Sequence, residues 1–92
     1  MKINVLGTKY ELLYRSPKED RELAGWDGYC DPNNQKMVVN TRCSNLYNAV
    51  RYVLLQAFMC ESNIYSVDTD LMEWFVDKFP ELLEAFKDAD VL

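Results

Sequence analysis

The sequence predicts an α+β fold: a small antiparallel β-sheet of about four strands, followed by a buried central helix and a C-terminal helical segment. Three observations support this class. The chain has 92 residues, 49% hydrophobic and 27% charged, which is typical of a single folded domain. Residues 1–43 contain short stretches in which polar and apolar side chains alternate, as in half-buried strands. Residues 44–92 place apolar side chains three and four positions apart, as in helices.

Four segments of the first half are predicted strands. Lys2–Leu6 and Tyr10–Arg15 alternate in polarity on either side of a glycine-containing turn, so we expect a hairpin. Trp26–Asp31 and Met37–Asn40 flank a Pro-Asn-Asn stretch that favours a second turn. Because consecutive strands with short connections usually pair with each other, the economical topology is an antiparallel meander.

Two helical segments are predicted in the second half. Ser44 or Asn45 can cap a helix running to about Ser62, whose apolar residues surround it and predict burial against the sheet. Asp68 or the residue after it can cap the last segment, where Pro80 predicts a kink or a split into two helices. We expect one apolar stripe of this segment to face the core: Leu71, Trp74, Phe75, Phe79, Leu82 and Phe86.

Composition and charge exclude several functions. The chain has no histidine, so it cannot form a Ser-His-Asp triad, a Cys-His pair or a histidine-ligated zinc site. Its three cysteines are expected to be free thiols, and no cofactor is expected. Residues 1–60 carry a net charge of +2 and residues 61–92 carry −7. Such a chain lacks the basic patch that binds nucleic acid, whereas a basic protein surface is a plausible partner. With no bilayer-length apolar run and no secretory leader, we expect the cytoplasm as its location.

Six acidic residues of the last segment are spaced by 3, 4, 4, 3 and 4 positions. On one continuous helix this spacing aligns their carboxylates in a single stripe, which a bend at Pro80 would break into two patches. A line of negative charge can resemble a nucleic-acid backbone to a basic protein, although charge runs are more often solvated helix faces. The candidate protein-binding residues are Asp70, Glu73, Asp77, Glu81, Glu84 and Asp88.

Trp26 is a further candidate for protein binding. It lies between Gly25 and Asp27-Gly28, in a context typical of a loop. Most large aromatic rings in so short a chain belong to the core, but a tryptophan in a loop can anchor an interface.

Several segments resemble small phage- and prophage-encoded metallopeptidase-like proteins. Residues 50–62 are similar to their active-site helix, in which an H-E-x-x-H motif precedes the run seen here as Ala57-Phe58-Met59-Cys60-Glu61-Ser62. Other segments resemble the strands and C-terminal helices of these proteins: residues 27–31, 36–39, 73–75 and 79–90.

The zinc motif itself is missing. Matched to it, Tyr52 and Gln56 stand in place of the two histidines, Val53 replaces the general base, and Asp70 or Thr69 falls at the third ligand. The resemblance therefore implies the scaffold of these proteins without catalytic residues or a metal.

Together these observations predict a non-catalytic, phage-type binding protein. The resemblance implies a host defence or regulatory protein as partner, for example a CRISPR nuclease, whose basic surface the acidic stripe would occlude. One alternative is a metal-dependent hydrolase that uses Cys60, Glu61, Asp68 and Asp70 as ligands. Another is a homo-oligomeric structural accessory protein that assembles through exposed aromatic residues. Neither membranes nor nucleic acids are expected to bind directly.

Overall fold

The computed structural model describes all 92 residues. The strands are β1 (Lys2–Val5), β2 (Thr8–Arg15), β3 (Gly28–Asp31) and β4 (Lys36–Asn40), and the helices are α1 (Leu46–Glu61) and α2 (Thr69–Asp88). Two single-turn 3-10 helices, Arg21–Leu23 and Pro32–Asn34, precede and follow β3. The predicted α+β class is confirmed. None of the helices combines the length and the apolarity needed to cross a membrane.

The sheet is mixed, with the strand order β1-β2-β4-β3. β1 pairs with β2 and β3 pairs with β4 in antiparallel fashion, but β2 and β4 are parallel, so the predicted antiparallel meander is wrong. The cause is the connection at residues 16–27, in which Leu23 is fully buried. This segment carries the chain past the place of β4, and β4 then returns between β3 and β2.

β4 is one of the two inner strands, and α1 packs on one face of the sheet. Met37, Val38 and Val39 are all fully buried, which accounts for the uninterrupted apolar run of β4. Ala49, Val53 and Ala57 form a buried stripe along α1, and most other apolar residues of the helix are only partly buried. The prediction that α1 packs on the sheet is confirmed.

Side-chain caps begin both helices near the predicted positions. The Asn45 side chain accepts a hydrogen bond from the Asn48 backbone N–H (3.1 Å). Asp68 Oδ1 accepts from the backbone N–H groups of Asp70 (2.8 Å) and Leu71 (3.2 Å). Each cap satisfies N–H groups that have no partner inside the helix, so these short-range residues set where the helices start.

Of the two outcomes predicted at Pro80, a kink or a split into two helices, the split is not observed, because α2 runs continuously from Thr69 to Asp88. The expectation that its apolar stripe faces the core is only partly met: Phe75 and Phe79 face α1 across a groove, but no residue of the stripe is buried, and Val76 is the only buried residue of α2. Leu71 and Trp74 are 55% and 54% exposed. α1 occupies one face of the sheet, and α2 packs along α1 and not on the strands, so much of the surface of α2 stays exposed. The radius of gyration, 13.9 Å, exceeds the roughly 12 Å expected for a compact chain of this length.

Candidate protein-binding site

The six predicted carboxylates lie on one face of α2, which we call the acidic face: Asp70, Glu73, Asp77, Glu81, Glu84 and Asp88. All six residues are exposed. Because α2 is uninterrupted, helical geometry aligns them along about 27 Å of its surface. The ion pair between Lys78 Nζ and Glu81 Oε2, at 3.8 Å, is the only one that involves the acidic face. Most of its negative charge is therefore not neutralised within the protein.

Val76 is the one buried residue of α2, and depressions open on both sides of it. One lies toward the acidic face and is bordered by the loop before β3. The other is apolar and lies between α1 and α2, with a volume of about 360 Å³. Its lining comes from Arg51, Leu54, Leu55, Phe58, Phe75, Val76 and Phe79.

The depression toward the acidic face is a cleft of about 570 Å³, which we call the acidic cleft. Trp26 and Asp27 line it from the loop before β3, and Glu73 and Asp77 line it from α2. Tyr52 contributes from α1. Three carboxylates and two aromatic rings thus border one space, and no basic side chain does. The cleft is suited to a positively charged group.

Asn40 holds the Trp26 loop in place. Its side-chain Nδ2 donates to the Trp26 carbonyl at 2.9 Å, and its backbone N–H donates to the Asp27 carbonyl at 2.8 Å. The Trp26 backbone N–H also donates to the Leu23 carbonyl at 2.9 Å. The loop backbone is therefore fixed, while 63% of Trp26 stays exposed.

Sequence reasoning selected Trp26, Glu73 and Asp77 but did not predict that they line one cleft, and it missed Asn40 and Asp27. The sequence does contain one signal for Asn40: it is a polar residue at the end of the apolar strand β4. A buried amide at such a position needs hydrogen-bond partners. Asp70, Glu81, Glu84 and Asp88 belong to the acidic face without lining the cleft.

The positions matched to the zinc motif occupy different environments. Val53 is fully buried, and its Cγ1 lies so close to Gly28 that a Cβ there would approach it to 2.9 Å. Tyr52 and Gln56 are partly buried, and the Gln56 Oε1 atom has no hydrogen-bond partner. Asp70 is exposed on α2. A valine packed in the core cannot accept a proton, so this position provides no general base.

The residues considered for a non-histidine metal site have separate roles. Glu61 accepts hydrogen bonds from the Thr8 hydroxyl (2.6 Å) and the Tyr10 hydroxyl (2.9 Å), which lower the pKa of its carboxyl group. Asp68 caps α2. No three Cys, Asp or Glu side chains lie close enough together to hold a metal ion. Burial raises the pKa of the Cys30 thiol to about 12, so it remains protonated at neutral pH.

Comparisons of the chain with protein-family models, curated proteins and solved structures gave no significant match. The metallopeptidase-like resemblance therefore stays a prediction. The function has to be argued from the surface that the chain itself presents.

Proposed function

We propose that this chain is a non-catalytic binding protein whose acidic face docks on a basic surface of a partner protein. The observation that carries the proposal is the combination of aligned, exposed carboxylates with large exposed apolar rings on and beside α2. Charge gives such a face long-range attraction for a basic partner, and the rings provide apolar area for burial once the partner is in contact.

The main competing interpretation is that the acidic face is a solvated helix surface with no partner. Such a surface consists of polar side chains and does not require exposed aromatic rings. Here Trp74 lies one helical turn from both Asp70 and Asp77, and Trp26 borders the acidic cleft from the other side. Tryptophan is enriched among residues that dominate interface energies, so its exposure at two places beside the carboxylates favours binding.

The class of partner follows from the resemblance alone. It implies a host defence or regulatory protein, for example a CRISPR nuclease. Enzymes that hold nucleic acid do so with positively charged surfaces, and an acidic helix can cover such a surface by charge and bulk. Occlusion of this kind requires no chemistry from the chain.

Retention of partners on the immobilised protein tests the proposal. Wild type is compared with a variant in which half of the acidic face is neutralised, Glu81→Gln, Glu84→Gln and Asp88→Asn. The matched control neutralises the same number of carboxylates away from that face, Glu11→Gln, Glu19→Gln and Glu22→Gln. Both variants lose three formal negative charges, so net charge alone cannot distinguish them.

We expect basic proteins to be retained by wild type and by the control, to be lost from the acidic-face variant, and to elute as salt rises. Equal retention on all three proteins, or retention that is insensitive to salt, would contradict the proposal. Two further measurements address the alternatives. Stoichiometric zinc in the purified protein would favour the hydrolase, and a defined multimer by native mass spectrometry would favour the structural accessory.

A further inference from the structure

We infer that the acidic cleft and the adjoining part of α2 recognise arginine side chains of the partner, in preference to lysine. This inference rests on the proposed function and specifies which basic surface the protein selects. It concerns the unpartnered face formed by Asp70, Glu73 and Asp77, together with the two tryptophans that flank it.

The two tryptophans lie on opposite sides of this row of carboxylates. Trp26 borders the acidic cleft, across from Glu73 and Asp77. Trp74 projects from α2 itself, four residues after Asp70 and three before Asp77, which places it beside them on the helix surface. Both rings are more than half exposed. A cation that approaches the row therefore meets carboxylates and an aromatic ring on either side.

Arginine fits this arrangement better than lysine does. Its planar guanidinium group can donate two parallel hydrogen bonds to one carboxylate and can stack its face on an aromatic ring. A lysine ammonium is a strongly hydrated point charge that offers neither a planar face nor a two-pronged donor. The carboxylates favour the guanidinium through paired hydrogen bonds, and the two tryptophan faces add stacking, which a hydrated ammonium group gains less from.

Charge complementarity selects this occupant over others. Three carboxylates and no basic side chain line the cleft, so an anionic ligand would be repelled. A purely apolar helix would suit the groove on the other side of Val76 better, because that groove is lined almost entirely by apolar side chains. An arginine-containing protein segment can pair with the carboxylates and stack on the tryptophan rings.

The chain is well suited to a direct test because Trp26 and Trp74 are its only tryptophans. The probes are two synthetic peptides of equal length and charge, one with arginine and one with lysine at the same positions, both without aromatic residues. Titration calorimetry gives the affinities, and the intrinsic tryptophan fluorescence reports contact at the site. Trp26→Leu and Trp74→Leu each leave one tryptophan, so the remaining ring can be followed alone.

We expect the arginine peptide to bind wild type more tightly than the lysine peptide does, by up to about two- to fivefold per stacked ring, and to change the emission of both tryptophans. Each Trp→Leu variant should lose part of this preference, and the double variant should retain only the smaller part that paired hydrogen bonds to the carboxylates supply. Tyr14→Leu, which removes an exposed ring from β2, is the control and should retain the preference.

The two possible failures are distinguishable. Equal, salt-sensitive binding of both peptides to wild type would overturn the arginine inference and leave the proposed function standing. Absence of binding by either peptide would overturn the inference and count against the proposed function as well. Because both tryptophans are exposed, their replacement should leave the fold intact, which circular dichroism verifies.

Discussion

Two regions of the molecule, the sheet with α1 and the helix α2, differ in how far their apolar side chains are buried. The first region buries its apolar side chains in one cluster that joins β1, β2 and β4 to the inner stripe of α1. In α2, by contrast, Val76 alone is buried, while acidic and large apolar residues are exposed side by side. The first region is organised to stabilise the fold, whereas the second presents a surface.

This difference indicates where substitutions should affect stability and where they should affect binding. In the sheet and α1, each buried side chain has neighbours on all sides, so a change in its volume lowers the stability of the fold. Most of α2 is exposed, so its side chains can change with little effect on folding. The predictions below test this division, starting with the largest effect.

Met37→Ala should have the largest effect. Met37 is fully buried in the inner strand β4 and belongs to the main core cluster. Removing most of its side chain leaves a cavity and should lower the free energy of unfolding by about 2–5 kcal/mol, measured by urea denaturation. A loss below about 1 kcal/mol would show that the β4–α1 contact is not the main source of stability.

Gly28→Ala should be the next most disruptive change. An added Cβ would meet the Val38 carbonyl oxygen at 2.8 Å and Val53 Cγ1 at 2.9 Å. Relieving these contacts requires α1 to move away from β3 and the β3–β4 backbone to shift, which should cost about 1–3 kcal/mol in the same measurement. Combining it with Val53→Ala should cost less than the sum of the two single changes, since one clash disappears. Strict additivity would argue against close packing at this point.

Glu61→Gln tests the polar link between the end of α1 and β2. Hydrogen bonds from Thr8 and Tyr10 lower the carboxyl pKa of Glu61 in the folded state. The unfolded chain therefore takes up this proton more readily, so the link stabilises the fold at neutral pH and is lost as the pH falls through the folded pKa. Between about pH 7 and about pH 3, wild type should lose more stability than the variant. Parallel pH profiles would contradict this.

Leu71→Ala should have the smallest effect. Leu71 is 55% exposed on α2, and alanine is an excellent helix former. We expect the free energy of unfolding to change by no more than about 0.5 kcal/mol. Hydrogen exchange provides a second check, because amides of α2 should exchange faster than those of β4. A large loss of stability would mean that the face of α2 is covered within the protein.

Much of the local structure could be predicted from the sequence, because it depends on neighbours along the chain. Asn45 and Asp68 cap the helices since their side chains reach backbone N–H groups two or three residues ahead. The alignment of the acidic face follows from helical periodicity once the helix is continuous. The sequence did not predict whether α2 is continuous through Pro80, because the effect of a proline inside a helix depends on the contacts of the rest of that helix.

Contacts between distant segments were not predictable in the same way. The parallel pairing of β2 with β4 depends on how Leu23 anchors the loop that crosses between them. The acidic cleft depends on Asn40, which fixes Trp26 opposite a helix that begins more than forty residues later. The periodicity of apolar residues along the chain does not predict such contacts between distant segments.

The sequence by itself determined the fold class, the start of each helix, the absence of histidine chemistry and the spacing of the carboxylates on α2. These properties follow from composition and from interactions within a few residues. Only the tertiary structure decided the strand order, the exposure of much of the apolar side of α2, and the position of Trp26, Glu73 and Asp77 around one cleft. Each of these depends on contacts between segments that are far apart in the sequence, such as the packing of α1 on the sheet and of α2 along α1.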